Sequence, residues 1–587
     1  MDQQIKDAQK KYQTLLSVLN KKSDRFADAR LIIFVILLIV AIISWQHRQF
    51  LGLLITFFLL IVFVILLIKH SKVKKEIKTY ESYLTIINQY FSRLNDKWHS
   101  FPSNGSTYIN NNLAKDLNLL GPSSLFQLIN ISKTISGERK LATTLTNPSL
   151  SAKEITSKQQ AITELTNNFA FILNYQKLLN DIHDITEKDF NIDTKLLQNK
   201  PRPLNKWPIV GLVSSCLTDF MLILSIFKVI PFKVCLIPIL IQLIISYLFS
   251  YFYDEDLEMI SKTSRTFSSL KNLTAYVKDQ TFQSALLTKL IKNINNGFNA
   301  IVSLKKINDL DGYRHNFLTY IILNPTISLN IFVLVKYNKL IAEEKNHLSN
   351  CLDSLESLEN LMSFTTISLI NDTKCLPTIT EETQITFQAI KHPLLNSSKC
   401  VQNDFHSVQS INIITGSNMS GKTSFMRTIA VNLILMYNGS YVTAQTFSSS
   451  LMKIFTSINI EDDILHGIST FYGELLRIKA ILDYEKNNEP MIIFIDEIFK
   501  GTNYNDRILG AKEIIKKLSN LNCLVLITTH DFELCEINNK KIFNYHFNEE
   551  YQGDKITFDY KIKKGMCHTT NAKYLMKKIG IITEDKK

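Results

Sequence analysis

The chain has 587 residues, enough for two or three domains, of which 45% are apolar and 20% charged. Its 66 basic and 53 acidic side chains leave a net charge of +13, which fits an anionic partner, nucleic acid or a lipid surface, without choosing between them. Eight cysteines are scattered with no CxxC pair, so neither a zinc site nor a disulfide framework follows, and a reducing compartment is indicated.

The first 255 residues are dominated by four apolar segments. Residues 31–45 form a run of 15, and residues 50–68 a run of 19 without a charge, enough to span a hydrocarbon core of ~30 Å. The linker between them is only Gln46-His47-Arg48-Gln49, so the two form a hairpin. Lys21, Lys22, Arg25 and Arg30 precede it, and Lys69, Lys72, Lys74, Lys75 and Lys78 follow it. Basic excess on both flanks puts both ends in the cytosol. The apolar run starts too late for a cleaved signal peptide, and no A-x-A site follows.

A second hairpin is expected over 207–227 and 234–252, with Trp207, Tyr247, Tyr251 and Tyr253 near its ends like an aromatic belt. Asp219 falls inside it, a costly position that demands a partner helix or a neutralising group. Four spans return the carboxy terminus to the cytosol, predicting a multi-pass protein of the cell (inner) membrane. Residues 151–189 and 257–307 carry apolar residues at helical spacing. The apolar stretch 317–335 is interrupted by Asn324-Pro325 and Asn330 and reads as core; 340–370 reads as a coiled-coil-like arm. Strand-like pieces occupy 378–406 around a His392-Pro393-Leu394-Leu395 turn. The expected domains are 1–100, a membrane hairpin; 101–375, a helical domain holding the second hairpin; and 376–587, an α/β domain.

That α/β domain carries the most specific pattern. A mostly β-branched run, Ile411 to Thr415, feeds Gly416-Ser417-Asn418-Met419-Ser420-Gly421-Lys422-Thr423, and a helical pattern starts at Ser424. Strand, glycine loop and helix form the phosphate-binding P-loop context. Gly416 and Gly421 allow the backbone to wrap an anion, so that consecutive N–H groups and the helix N-terminus point at it. Lys422 is expected to reach the β/γ-phosphates of ATP, and the Thr423 hydroxyl to hold Mg²⁺. Residues 491–495 form an apolar strand ending in Asp496-Glu497, where Asp496 would serve Mg²⁺ and Glu497 the attacking water. The buried-type strand 523–528 ends at Thr529-His530, with His530 a γ-phosphate sensor.

Taken together these motifs name a family. GSNMSGKT resembles the MutS P-loop GPNMGGKS, and EDDILHGISTFYGEL resembles the MutS signature DD…G-x-STF-x-x-E. DEIFKGTNYND is similar to DEIGRGT with its D-loop, and TTHDFEL to ATH-x-x-EL. Residues 124–148 look like the start of the MutS core domain, and 559–581 resemble the family's carboxy-terminal pattern. The resemblance implies an ABC-like ATPase homodimer with two composite sites. In it the signature Ser469 reaches the γ-phosphate held by the partner, and ATP joins the subunits until it is hydrolysed. Ser417 and Ser420 replace a proline and a glycine of the family loop, while Ile468 and Phe499-Lys500 replace Arg and Gly-Arg near the dimer seam.

Standard members begin with a mismatch-reading domain bearing a Phe-x-Glu wedge, whose place is taken here by a membrane hairpin and a short basic helix. The second hairpin falls near the position of the family's DNA-gripping clamp. Two expectations follow: a membrane-tethered ATPase dimer that binds DNA in an ATP-dependent way without wedge reading, or a DNA-independent ATP-driven membrane machine or scaffold. An ABC transporter is a weaker variant, with few spans and no LSGGQ.

Overall fold

The computed structural model describes residues 2–47, 50–183, 202–396, 400–459, 470–485, 489–500, 502–552 and 555–566. The chain divides into two units, 1–97 with 168–181, and 98–167 with 182–587.

The first unit is built on two helices of 45 residues each, α1 (Asp2–Gln46) and α2 (Phe50–Leu94), each about 67 Å long at 1.5 Å per residue. They run antiparallel and pair along their whole length. At the polar end Tyr12 stacks on Tyr83 with ring centroids 4.7 Å apart. Midway, Ser23 Oγ and His70 Nε2 lie 3.0 Å apart, and Phe34 meets Phe63 near the tip. Gly52 leaves room for Ser44, whose Oγ lies 2.1 Å from where a Cβ at that position would stand. Each helix thus has an apolar end and a polar stalk. The stalk of α2 is anchored on the segment 168–181, where Tyr83 Oη donates to Asn174 at 2.6 Å and Gln176 donates to Tyr90 Oη at 2.7 Å.

The second unit has a helical part and a mixed α/β part. Its helices are α3 (Asn112–Asp116), α4 (Leu125–Ile129), α5 (Ile135–Thr146) and α6 (Ala152–Asn167), with α7 (Phe169–His183) lying mostly in the first unit. Next come the apolar pair α8 (Trp207–Ile226) and α9 (Phe232–Phe252), then α10 (Asp254–Lys278) and α11 (Ala285–Gly312). A short α12 (Phe317–Ile327) bends by 74° into α13 (Leu329–Ile370). Among the described residues, four helices, Gln3–Gln46, Phe50–Leu94, Trp207–Ile226 and Phe232–Phe252, are long and apolar enough to cross a membrane by length and composition, and the bent pair α12–α13 would be a fifth if it formed one span.

Two sequence expectations are refined here. The segment 340–370, read as a coiled-coil-like arm, belongs to α13, which pairs lengthwise with α11 and, mostly buried from Leu348 onward, also packs against α5 and α6. Its leucines repeat at helical spacing either way, and spacing does not say how many sides are covered. The stretch 317–335 is only partly core, because Phe317, Leu318 and Ile322 of α12 are exposed.

The α/β part has two sheets. One orders β1 (Thr378–Thr380), β5 (Thr446–Ser450), β2 (Gln384–Ile390) and β3 (Asn403–Val408). The other orders β10 (Lys555–Lys564), β9 (Ile542–Gln552), β4 (Ile411–Thr415), β8 (Cys523–Thr528), β7 (Met491–Asp496) and β6 (Lys453–Ser457). All its pairings are parallel except β10 on β9. Strands β4, β7 and β8 are buried almost throughout because both of their faces are covered, and β7 and β8 are accordingly near-continuous apolar runs, while β4 carries a buried Asn412. Between the sheets lies α14 (Lys422–Tyr437), uncharged after Arg427 and buried almost throughout. Its Phe425 packs on Phe387 and Phe405 of one sheet and Phe547 of the other. The outer face of the larger sheet is covered by α15 (Thr470–Tyr484) and α16 (Tyr504–Leu518).

Candidate functional site

Strand β4 ends in a loop that turns sharply into α14. Gly416 has φ 150°, Met419 φ 70° and Gly421 φ 105°, values in which glycine is at ease and methionine is strained. Gly421 caps α14 with no side-chain hydrogen bond, so the first-turn N–H groups are left for a ligand. Lys422 is buried, and its Nζ donates to the Gly416 and Ser417 carbonyls at 2.9 and 2.8 Å. The ammonium therefore lies folded over the loop. The buried Ser417 and Ser420 hydroxyls have no hydrogen-bond partner among the described residues. Phosphate oxygens accept from such donors, so the two serines suit the ligand that the loop geometry suggests.

The acidic half comes from β7. Thr423 Oγ1 donates to the two Asp496 oxygens at 3.0 and 2.9 Å, and Thr528 Oγ1 donates to Asp496 at 2.5 Å. The register of β7 on β8, with Asp496 opposite Thr528, makes the second contact automatic. A hydroxyl and a carboxylate at hydrogen-bond distance are an oxygen pair of the kind that Mg²⁺ takes. Glu497 has φ 53° and is held there by its N–H, which lies 3.1 Å from both the Thr528 carbonyl and hydroxyl oxygens. Its carboxylate meets His530 at 3.1 Å and Lys500 at 2.7 Å. These contacts, the His530 hydrogen bond first, hold its pKa down at about 2 against the opposing effect of partial burial. Glu474 of α15 is buried, and desolvation raises its pKa, although the Phe499 and Lys500 backbone bonds it accepts oppose that.

The structure therefore brings Gly416, Ser417, Asn418, Met419, Ser420, Gly421, Lys422, Thr423 and Ser424 into one loop and helix start, facing Asp496, Glu497 and His530 across the sheet. Ser469 lies outside the described residues, as does most of the signature segment.

Two further residues lie beside the site: Tyr560, inside the 559–581 stretch that resembles the family's carboxy-terminal pattern, and Asp116, which no motif marks. Tyr560 sits at an irregularity in β10 with φ 51°, and its ring comes within 3.0 Å of a Cβ built on Gly421. Asn403 holds it there, donating to the Tyr560 carbonyl at 3.0 Å and accepting from Ile562 N–H at 2.9 Å. A half-exposed aromatic face beside a phosphate loop is a platform for a purine. Asp116, fully buried at the end of α3, accepts from Ile458 and Asn459 N–H at 3.3 and 3.2 Å and from Arg477 of α15 at 2.6 Å. Its own carbonyl accepts from Arg427 of α14 at 2.9 Å. One residue thus ties the helical part to both helices, its carboxylate holding Arg477 of α15 and its backbone carbonyl Arg427 of α14.

The fold and loop define a mixed α/β domain with a glycine-loop anion cradle opposite an acidic strand end. Residues 412–581 match the sequence model of the family described as MutS domain V. The chain is also similar to the human MutS protein homolog 4, 33% identical over 254 residues, which is 40% of this chain and 26% of that protein. It is 29% identical over 246 residues to the DNA mismatch repair protein MutS of Clostridioides difficile, with the same shares covered. Against the DNA mismatch repair protein MSH3 of Saccharomyces cerevisiae it is 39% identical over 170 residues, 27% of this chain and 16% of that protein. The chain thus spans about a quarter or less of the length of the curated relatives it matches.

Proposed function

We propose that this protein is a membrane-anchored ATPase of the MutS family that acts as a homodimer and couples ATP binding to DNA binding, without a wedge that reads mismatches. The observation that carries the ATPase reading is the contact of Thr423 with Asp496 at 2.9–3.0 Å beside the Lys422 loop. In this reading the loop N–H groups, Ser417, Ser420 and Lys422 bind the phosphates, and Thr423 and Asp496 hold Mg²⁺. When bound, the metal neutralises charge on the β- and γ-phosphate oxygens. Glu497, its pKa held down at about 2, stays ionised and orients the attacking water by accepting its hydrogen bond. His530 fixes the Glu497 carboxylate and reads the γ-phosphate, and Tyr560 stacks on the base. Ser469 of each subunit completes the site of the other.

Membrane attachment is supported by apolar surface that water does not tolerate. Leu31, Phe50, Phe57, Ile209, Leu212, Ile237 and Tyr251 are all more than half exposed, in contiguous helical stretches. The DNA reading rests on the positive charge and on the names of the relatives. The deciding experiment is nucleotide binding by purified full-length protein. Lys422→Ala is expected to lose ATP affinity at least about tenfold, since one charge-assisted phosphate contact contributes about 1.5–3 kcal/mol; unchanged affinity overturns the assignment of this loop.

A further inference from the structure

We infer that α12 is a re-entrant membrane element: a half-helix that enters the lipid beside α8 and α9 and leaves on the side from which it came, its outer face covered by acyl chains. The inference rests on the membrane reading of α8 and α9. Helix α12 has 11 residues, about 16 Å, half of a ~30 Å hydrocarbon core, so it does not cross. Phe317 is 75% and Leu318 70% exposed, and α12 packs against α8 and α9. Its outer surface therefore continues theirs.

The break is built as lipid requires. Irregular backbone is tolerated at membrane depth only where protein covers it, and here the polar groups turn inward. Ser328, with φ 49° and ψ 52°, donates from Oγ to the Gly211 carbonyl of α8 at 2.8 Å and meets Ser215 Oγ at 2.6 Å. The Gln242 amide of α9 donates to Ser215 at 3.2 Å and also to Ser328. The Asn330 side-chain amide donates to Ser250 Oγ at 2.6 Å, and its backbone N–H donates to Asn324 Oδ1 at 3.3 Å. A helix that is apolar outside and polar inside is inverted for water and correct for a bilayer.

The flanking helices fix the side. Helix α11, which precedes the element, and α13, which follows it, pack on each other. Asn293 donates to Ser354 at 3.2 Å, and a Cβ on Gly297 would stand 2.5 Å from the Cys351 Cβ. Entry and exit therefore share one face, the face on which α11 and α13 pack on each other. A complete span would put them on opposite faces.

The test uses full-length protein with Cys216, Cys375, Cys400 and Cys567 replaced by serine, in phosphatidylcholine–phosphatidylglycerol vesicles, some lipids carrying a quencher midway along the acyl chain. A polarity-sensitive fluorophore is attached at Ile322→Cys, with Phe58→Cys and Leu212→Cys as references for α2 and α8. Quenching by lipid and not by aqueous iodide at all three positions is expected. Lipid quenching at 58 and 212 but iodide quenching at 322 overturns the inference alone; iodide quenching at all three overturns the membrane reading as well. Tyr313→Cys and Asn346→Cys, on either side of the element, are expected to react with an impermeant maleimide from the same face. Reaction from opposite faces makes the element a span and overturns re-entry.

Discussion

Asp116 and Glu359 carry the clearest consequences of single side chains. Removing Asp116 leaves the Arg477 guanidinium and two backbone N–H groups without their acceptor, and breaking such a buried pair from one side costs about 3 kcal/mol or more. Asp116→Ala should therefore lower the thermal midpoint, and a double-mutant cycle with Arg477→Ala should give a coupling above about 1 kcal/mol. Strict additivity would show that the two do not act as a pair. Glu359, fully buried, accepts from Thr134 at 3.0 and 3.1 Å, while Thr134 caps α5 by accepting from Gly137 N–H at 3.0 Å. Gly137 is required at that cap, because a Cβ would stand 2.5 Å from Glu359 Oε2.

Burial raises the Glu359 pKa to about 8. The folded state thus holds a proton that the unfolded chain has released above its ordinary value, so this contribution is complete below about pH 4.5 and is lost as pH rises through about 8. The thermal midpoint of wild type should fall between pH 6 and pH 9, and Glu359→Gln should flatten that fall. An unchanged slope would mean that the carboxyl titrates normally. At this scale the motif residues were legible because phosphate chemistry needs fixed residue types at fixed spacing along one strand, loop and helix. Asp116 was not, since it meets its partners across the fold: Arg427 lies 311 positions from it. The 559–581 pattern contains Tyr560 but does not say that its ring comes up against Gly421.

Among elements, β7, β8 and the four long apolar helices follow from hydrophobic runs and β4 from a mostly β-branched one, and these strands occupy the stretches expected of them. The limits of that reading are equally physical. A run of apolar residues reports an apolar neighbour without saying whether it is protein or lipid, which is why 317–335 reads as core while α12 lies exposed. The break at Ser328 depends on hydrogen bonds from α8 and α9 that no local pattern encodes. In the proposed membrane reading, the 19-residue apolar run of α2, about 28 Å at 1.5 Å each, matches one bilayer core, and the remainder of the helix forms a polar stalk.

For the whole molecule, the proposed coupling runs from a dimer closed by ATP to a positively charged surface that takes up DNA. If DNA is the ligand, binding should require ATP and weaken steeply with salt, log affinity falling by about 0.9 for each phosphate contact per decade of salt. A flat salt response would remove DNA and favour a machine that acts only on the membrane. The most direct test of the central claim is ATP turnover and ATP retention by full-length Glu497→Gln in vesicles, measured beside wild type. The account predicts turnover reduced by about 10²–10⁴-fold, with ATP still bound and the protein held as a dimer. Wild-type turnover by the variant would contradict the assignment of Glu497, and with it the proposed catalytic site.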